Sequence, residues 1–152
     1  MLKKVTLNIG LCLVLLLAGF TKVPSQVLAA TDEVSLISTY ARQVDAGGGF
    51  CFFGVKSCIK IKNIAYDKKV YIHRRMIGSD EWVDVPCTYS HSLNNGYEVW
   101  VGDPGWYSPY YTGIQFAIKY EVNGQTYWDN NNGNDYYVTS DDLYPSQTKY
   151  WN

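Results

Sequence analysis

The stretch Ile114-Gln115-Phe116-Ala117-Ile118-Lys119-Tyr120-Glu121-Val122-Asn123-Gly124-Gln125-Thr126-Tyr127-Trp128 decides the fold. Ile114, Phe116, Ile118, Tyr120 and Val122 take every second position, with Gln115, Ala117, Lys119 and Glu121 between them. That period of two is the pattern of a half-buried β-strand. Asn123-Gly124 then offers two residues that accept positive φ, the requirement of a type I′ hairpin turn. With a two-residue loop, Val122 pairs with Gln125, Tyr120 with Tyr127 and Lys119 with Trp128. Directly opposed residues share a face. Trp128 is therefore expected on the solvent side, opposite Lys119 and diagonal to Ala117, where core packing does not readily explain a tryptophan.

Outward from this hairpin the same signals recur at Val34–Thr39, Gly54–Asn63, Lys69–Arg75, Trp82–Val85, Tyr97–Val101 and Tyr136–Val138. Ile59 and Ile61 alternate with Lys60 and Lys62, and Val70 and Ile72 with Tyr71 and His73. Helix signals are nearly absent after residue 30. Short strands divided by Gly, Asn, Asp and Pro clusters predict an all-β sandwich or barrel. Their number and the chain length suit an immunoglobulin-like antiparallel β-sandwich. His73, beside Arg74 and Arg75, reads as a solvated residue on the outer face. The polar, aromatic tail 140–152 carries no assignment.

Beyond Trp128 the chain continues Asp129-Asn130-Asn131-Asn132-Gly133-Asn134-Asp135-Tyr136. An asparagine amide both donates and accepts, which matches a sugar hydroxyl. A tryptophan beside it supplies a broad apolar face for stacking. The same residue types also close tight turns, so a long turn is the competing reading.

The first thirty residues read as a secretory signal peptide: Lys3 and Lys4, an apolar run from Leu11 to Phe20, then small residues at Ala29-Ala30. The run falls short of the roughly 20 residues of a transmembrane helix. The expected arrangement is signal 1–30, one module over 31–139 and a tail 140–152, with a secreted, extracellular product. Loss of Lys3, Lys4 and Lys22 takes Lys+Arg from 13 to 10 against 14 Asp+Glu. An acidic mature chain argues against nucleic acid, which calls for a basic stripe, and against an anionic membrane surface. Cys51, Cys58 and Cys87 remain. Cys51 and Cys58 cannot pair along one straight strand, where seven steps span roughly 23 Å; a turn at Gly54 would permit it, and otherwise Cys87 pairs with one of them or all three stay reduced.

No catalytic constellation or cofactor motif stands out. Asp129 and Asp135 form the one carboxylate pair that could suggest glycoside hydrolysis, in a short loop with nothing to raise a pKa. Position five of a calcium loop starting at Asp129 is Gly133, which breaks the EF-hand pattern.

Four ordered blocks carry a resemblance. They are Lys62-Asn63-Ile64-Ala65-Tyr66-Asp67-Lys68-Lys69-Val70, Gly78-Ser79-Asp80-Glu81-Trp82, Phe116 to Gly124, and Trp128-Asp129-Asn130-Asn131-Asn132-Gly133. Together they resemble the family 21 carbohydrate-binding modules, found in fungal glucoamylases and in the glycogen-targeting subunits of protein phosphatase 1. The resemblance implies a non-catalytic immunoglobulin-like module that binds α-1,4-glucans such as starch, glycogen and maltooligosaccharides, with a separate amylolytic enzyme as a candidate companion. It places Trp82 and Trp128 in one sugar site, with Asp129, Asn130 and Asn132 on the polar loop. It places Tyr66 and Lys68 in a second site. Ala117 stands where fungal members have a third aromatic, and Asp135 replaces a late asparagine of the loop. The aromatic-rich segment 102–111, with Trp106 and Tyr107, is expected to supply replacement stacking surface. The alternative function on the same fold is an extracellular protein-interaction or adhesion module.

Overall fold

The Asn123-Gly124 turn forms in the register its sequence requires: Val122 faces Gln125, Tyr120 faces Tyr127 and Lys119 faces Trp128. Both turn residues have positive φ, 51° and 72°. The structure is a computed structural model that describes residues 32–45, 47–48, 51–103, 106–107, 112–143 and 147–151. The segment read as a signal peptide lies outside the described residues.

Eleven strands run through the described residues: β1 Val34–Asp45, β2 Cys51–Lys62, β3 Lys68–Met76, β4 Val83–Pro86, β5 Thr88–Ser92, β6 Tyr97–Gly102, β7 Trp106–Tyr107, β8 Gly113–Val122, β9 Gln125–Asp129, β10 Tyr136–Thr139 and β11 Gln147–Tyr150. They form two sheets. One has the order β11-β1-β2-β6-β5, with β7 also on β2; the other has the order β10-β8-β3-β4, with β9 also on β8. All eight strands expected from alternation are present, and the all-β antiparallel class holds. β5 and β11 escape the pattern because they are edge strands. Every residue of β5 is exposed, so no alternation is imposed on it. The tail is part of the fold: β11 pairs with β1, and the Trp151 ring meets Tyr136 edge-on at 4.8 Å.

One apolar core lies between the sheets. Val34, Leu36, Ile59 and Ile61 from the first meet Val70, Ile72, Ile114, Phe116, Ile118 and Tyr120 from the second. Each fully buried side chain of this size contributes about 1.5–3 kcal/mol. Gly102 brings the layers close, since a Cβ there would strike the Ile72 side chain and the Cys87 sulfur. Cys51 and Cys58 lie on the same strand, β2. Cys58 and Cys87 are free thiols. Burial pushes the Cys87 thiol up to about 12, which keeps it protonated and unreactive at neutral pH.

Two details of the second sheet position everything that follows. β9 and β10 both lie on the same flank of β8, one against Ile118–Val122 and the other against Gly113–Phe116. They are one edge strand, interrupted by residues 130–135 opposite Ala117. At the interruption Asp129 is 0 % exposed. Its carboxylate accepts from the Leu36 N–H at 2.7 Å, from the Tyr136 hydroxyl at 2.8 Å and from the Asn131 N–H at 3.3 Å. Leu36 belongs to the opposite sheet, beside a register irregularity of β1 between Leu36 and Ser38. One side chain thus ties both sheets to the start of the loop.

This arrangement assigns Asp129 to the scaffold, a correction to its expected place at the sugar. A buried carboxylate with no exposed atom has nothing to offer a ligand. Removing it leaves buried donors unpaired, each costing about 1–3 kcal/mol. Asp129→Ala is expected to lower unfolding free energy by about 3 kcal/mol or more, as read from urea denaturation.

Candidate functional site

The outer face of the second sheet is set by alternation. It carries Tyr71, His73 and Arg75 of β3, Gln115, Ala117 and Lys119 of β8, and Trp128 of β9, all placed by direct pairing. Trp82, just before β4, lies over this face. Its indole stacks on the His73 imidazole with 4.7 Å between centroids and 5° between planes. The Arg75 guanidinium carbon sits 5.2 Å from the same ring. Trp128 meets the same imidazole edge-on, at 5.3 Å and 79°. The two indoles therefore stand nearly perpendicular, with His73 between them, and both are partly exposed.

His73 was read from the sequence as merely solvated; the structure makes it the centre of the aromatic cluster. The signal that could have found it is its register: His73 pairs directly with Ala117, and only a small residue there leaves room for a ring above. Ala117 is buried although it points outward.

Polar contacts hold the imidazole. Asp84, opposite His73 on β4, places Oδ1 2.6 Å from His73 Nδ1. Its Oδ2 accepts from Lys119 Nζ at 3.0 Å. Lys119 also pairs with Glu121 at 2.7 Å, and its ammonium lies 5.3 Å from the Tyr71 ring centroid and 6.0 Å from that of Trp128. Partial burial pushes the Asp84 carboxyl up, but hydrogen bonds from His73 and Lys119 and their charges together outweigh it, leaving its pKa below the usual carboxylate value. Hydrogen bonds to Glu121 and Asp84 raise the Lys119 pKa.

The loop 130–135 is built largely by its own amides. Asn131, Asn132, Gly133 and Asp135 all have positive φ, a region that Asn and Gly tolerate best. The Gly133 N–H donates to the Asn130 Oδ1 at 3.0 Å. Asn131 Nδ2 donates to the Asp135 carbonyl at 3.0 Å, and Asn134 Nδ2 to the Asn131 carbonyl at 3.3 Å. The turn reading and the ligand reading of the asparagine run thus apply to different residues. Asn131 and Asn134 shape the loop. Asn132 is exposed, with its amide unused by any described residue, and Asn130 keeps its amide N–H donors. Asp135 accepts from Gln115 Nε2 at 2.7 Å, and Gln115 Oε1 accepts from Arg75 Nε at 2.8 Å. A continuous polar chain therefore runs from the loop across β8 to the residue beneath Trp82.

Trp82 and Trp128 are thus gathered around His73, and Asn130 and Asn132 follow Trp128 in the loop that leaves β9. Tyr66 and Lys68 lie elsewhere, at the Val122 end of β8. Tyr66 is 101 % exposed. It adjoins a shallow depression of about 360 Å³ whose lining includes Asp67, Lys68, Lys69, Asn123 and Gln125. Lys68 lines this depression while its ammonium is engaged within the protein. Its ammonium is paired with Glu98 at 2.9 Å, with side-chain exposures of 5 % and 9 %, and it also donates to Asn63 Oδ1. Glu98 in turn accepts from Trp100 Nε1 at 2.9 Å. Such a pair closes one end of the sandwich. Only the backbone of Trp106–Tyr107 is described, so the expected stacking surface of their side chains falls outside the described residues.

Residues 52–139 match the model of carbohydrate/starch-binding module family 21. This chain belongs to that family. It is 41 % identical over 88 residues to glucoamylase 1 of Rhizopus oryzae, covering 54 % of this chain and 14 % of the glucoamylase. It is 31 % identical over 98 residues to human protein phosphatase 1 regulatory subunit 3B, covering 61 % of this chain and 34 % of the subunit. The chain thus spans about a third or less of the length of these curated relatives. The starch-binding domain of the Rhizopus oryzae glucoamylase, solved in complex with β-cyclodextrin and maltoheptaose, superposes with a TM-score of 0.53 and 30 % identity, over 74 % of this chain and 98 % of that one. The carbohydrate-binding module of the muscle glycogen-targeting subunit of protein phosphatase 1 shares the fold, with a TM-score of 0.53 over 70 % of this chain and 75 % of that one, at 24 % identity.

The Asp84 network gives this family member a pH signature. A carboxylate whose folded pKa lies below its ordinary value of 3.8 contributes stability that is complete above that value. The contribution is lost as pH falls through the folded value. Because Asp84 is partly exposed, the contribution is at most about 1 kcal/mol. Urea midpoints followed from neutral pH into the acid range should fall less steeply below the ordinary carboxylate pKa in Asp84→Asn than in the wild type.

Proposed function

We propose that this module binds α-1,4-glucans (starch, glycogen and their maltooligosaccharides) without catalysis, on the face formed by Trp82, His73, Trp128, Asn130 and Asn132. The observation that carries the reading is the pair of nearly perpendicular indoles joined through one imidazole, with the exposed Asn132 on the loop that follows Trp128. Glucopyranose rings present apolar C–H faces that stack on aromatic planes, with hydroxyls around the rim. Two planes at an angle suit a chain that turns from one glucose to the next, as an α-1,4-glucan does and a flat β-linked glucan does not. Each stacked ring contributes about 0.5–1.5 kcal/mol beyond area burial, on the scale of aromatic pairs. A single site is therefore weak. Tyr66 gives a second contact point at the far end of β8, and two sites on one polymer gain through effective concentration.

Family membership and the relative solved with β-cyclodextrin and maltoheptaose support the ligand class. The two-sheet architecture suits the immunoglobulin-like arrangement expected from the strand count. We further read the protein as secreted, from the basic start, apolar run and Ala29-Ala30. Recovery from growth medium of a form beginning near Thr31 checks that reading, and retention of the intact amino terminus on cells would count against it.

Retention on insoluble starch, with cellulose as the control, tests the glucan reading. The wild type should be retained on starch and not on cellulose, with roughly tenfold weaker retention for Trp82→Ala or Trp128→Ala. A folded wild type that ignores starch would defeat the reading and point to a protein partner.

A further inference from the structure

The geometry points to Tyr137 as an additional sugar-stacking residue that lengthens the glucan site past the asparagine loop, so that this module selects for chain length. The inference rests on the glucan reading and extends it to a residue outside the cluster already described.

Tyr137 lies on β10 directly opposite Gln115, and directly opposed residues share a face. Gln115 is on the same face as Ala117 and Lys119, and Trp128 opposes Lys119. Tyr137 and Trp128 therefore flank the interruption of the edge strand on one side of the sheet, with residues 130–135 between them. Tyr137 is 43 % exposed while its neighbours Tyr136 and Val138 are buried. The exposure is thus a property of this face, not of a frayed strand end.

The ground beneath Tyr137 is continuous with the site. Its partner Gln115 bridges Asp135 of the loop and Arg75, and Arg75 lies against the Trp82 ring. An occupant leaving the Trp82–Trp128 cluster along the sheet edge would pass Asn132 and meet Tyr137 next. From the Lys119 row to the Gln115 row, four residues of β8 span roughly 14 Å. The terminal rings of a trisaccharide, only two linkages apart, fall short of that separation between stacking planes, whereas those of maltoheptaose reach it. The occupant of this extension is further glucose units of the same α-1,4-glucan chain, not a second ligand.

The experiment is calorimetric titration of the full module with maltotriose and with maltoheptaose, for wild type, Tyr137→Ala, Tyr137→Phe and Tyr150→Ala. Tyr150 is an exposed tyrosine of the other sheet and controls for the general loss of a surface ring. The expected result is that Tyr137→Ala loses roughly 3- to 10-fold more affinity for maltoheptaose than for maltotriose. Tyr137→Phe should keep the preference for the longer chain, and Tyr150→Ala should behave as wild type. Equal losses for both sugars, or an unchanged preference in Tyr137→Ala, would overturn the role of Tyr137 while leaving the glucan reading standing. Failure of the folded wild type to bind either sugar would overturn both together.

Discussion

A carboxylate shut away from solvent governs this structure. Burying an unpaired carboxylate is prohibitively costly, so Asp129 persists inside only because the Leu36 amide, the Tyr136 hydroxyl and the Asn131 amide all point at it. Those donors come from the opposite sheet, from β10 and from the loop. Charge-assisted hydrogen bonds are roughly twice as strong as neutral ones, and this set fixes three parts of the chain at a single point. Asp129 also sits between Trp128 and Asn130. Anchoring it settles which face the indole takes and where the asparagine loop departs from the strand. The partnership is mutual: burial and the neighbouring Asp129 charge push the Tyr136 phenol well above its ordinary pKa, which keeps it a donor.

Much of this was legible in the sequence, and the exceptions have physical reasons. The β8–β9 hairpin could be read to the residue because alternation and a two-residue Asn-Gly turn leave one register. Trp128 followed on the outer face. The role of His73 did not follow, because it depends on three strands: β3 carries the imidazole, β8 supplies the small Ala117 beneath, and the segment before β4 lays Trp82 on top. Local pattern reports a strand's own faces, not what an adjacent strand leaves vacant. The inward pairing of Lys68 and the burial of Asp129 escaped the pattern for the same reason in reverse. Charged residues in a polar-looking loop or strand end read as surface, and only their distant partners, Glu98 and Leu36, reveal them as interior. The family resemblance draws Trp82 and Trp128 together, and both rings meet His73, but it does not distinguish asparagines that bend the backbone from one that faces outward.

Position 117 shows how a small residue makes room for an aromatic cluster. Where the family resemblance implies an aromatic, this chain has a methyl group. The space above it is taken from the side by an imidazole that touches both tryptophans. A histidine is smaller than a tyrosine and brings polar nitrogens, so it needs the Asp84 carboxylate to fix its plane. Asp84 is shared with Lys119, which is itself held by Glu121. The aromatic surface of this module thus stands on a bed of charges, and its geometry is tied to the ionic contacts of the sheet beneath it.

The interrupted edge strand separates two things that a sheet usually couples. A one-residue change within a strand flips every following side chain to the other face. Here β9 and β10 are each registered independently on β8, and the chain between them returns to the same line. Residues can be gained or lost at 130–135 without disturbing either register, provided Asp129 and Tyr136 remain to close the gap. The rim can therefore change in length and composition while the fold is kept, which makes it a natural place for an engineer to graft a new loop.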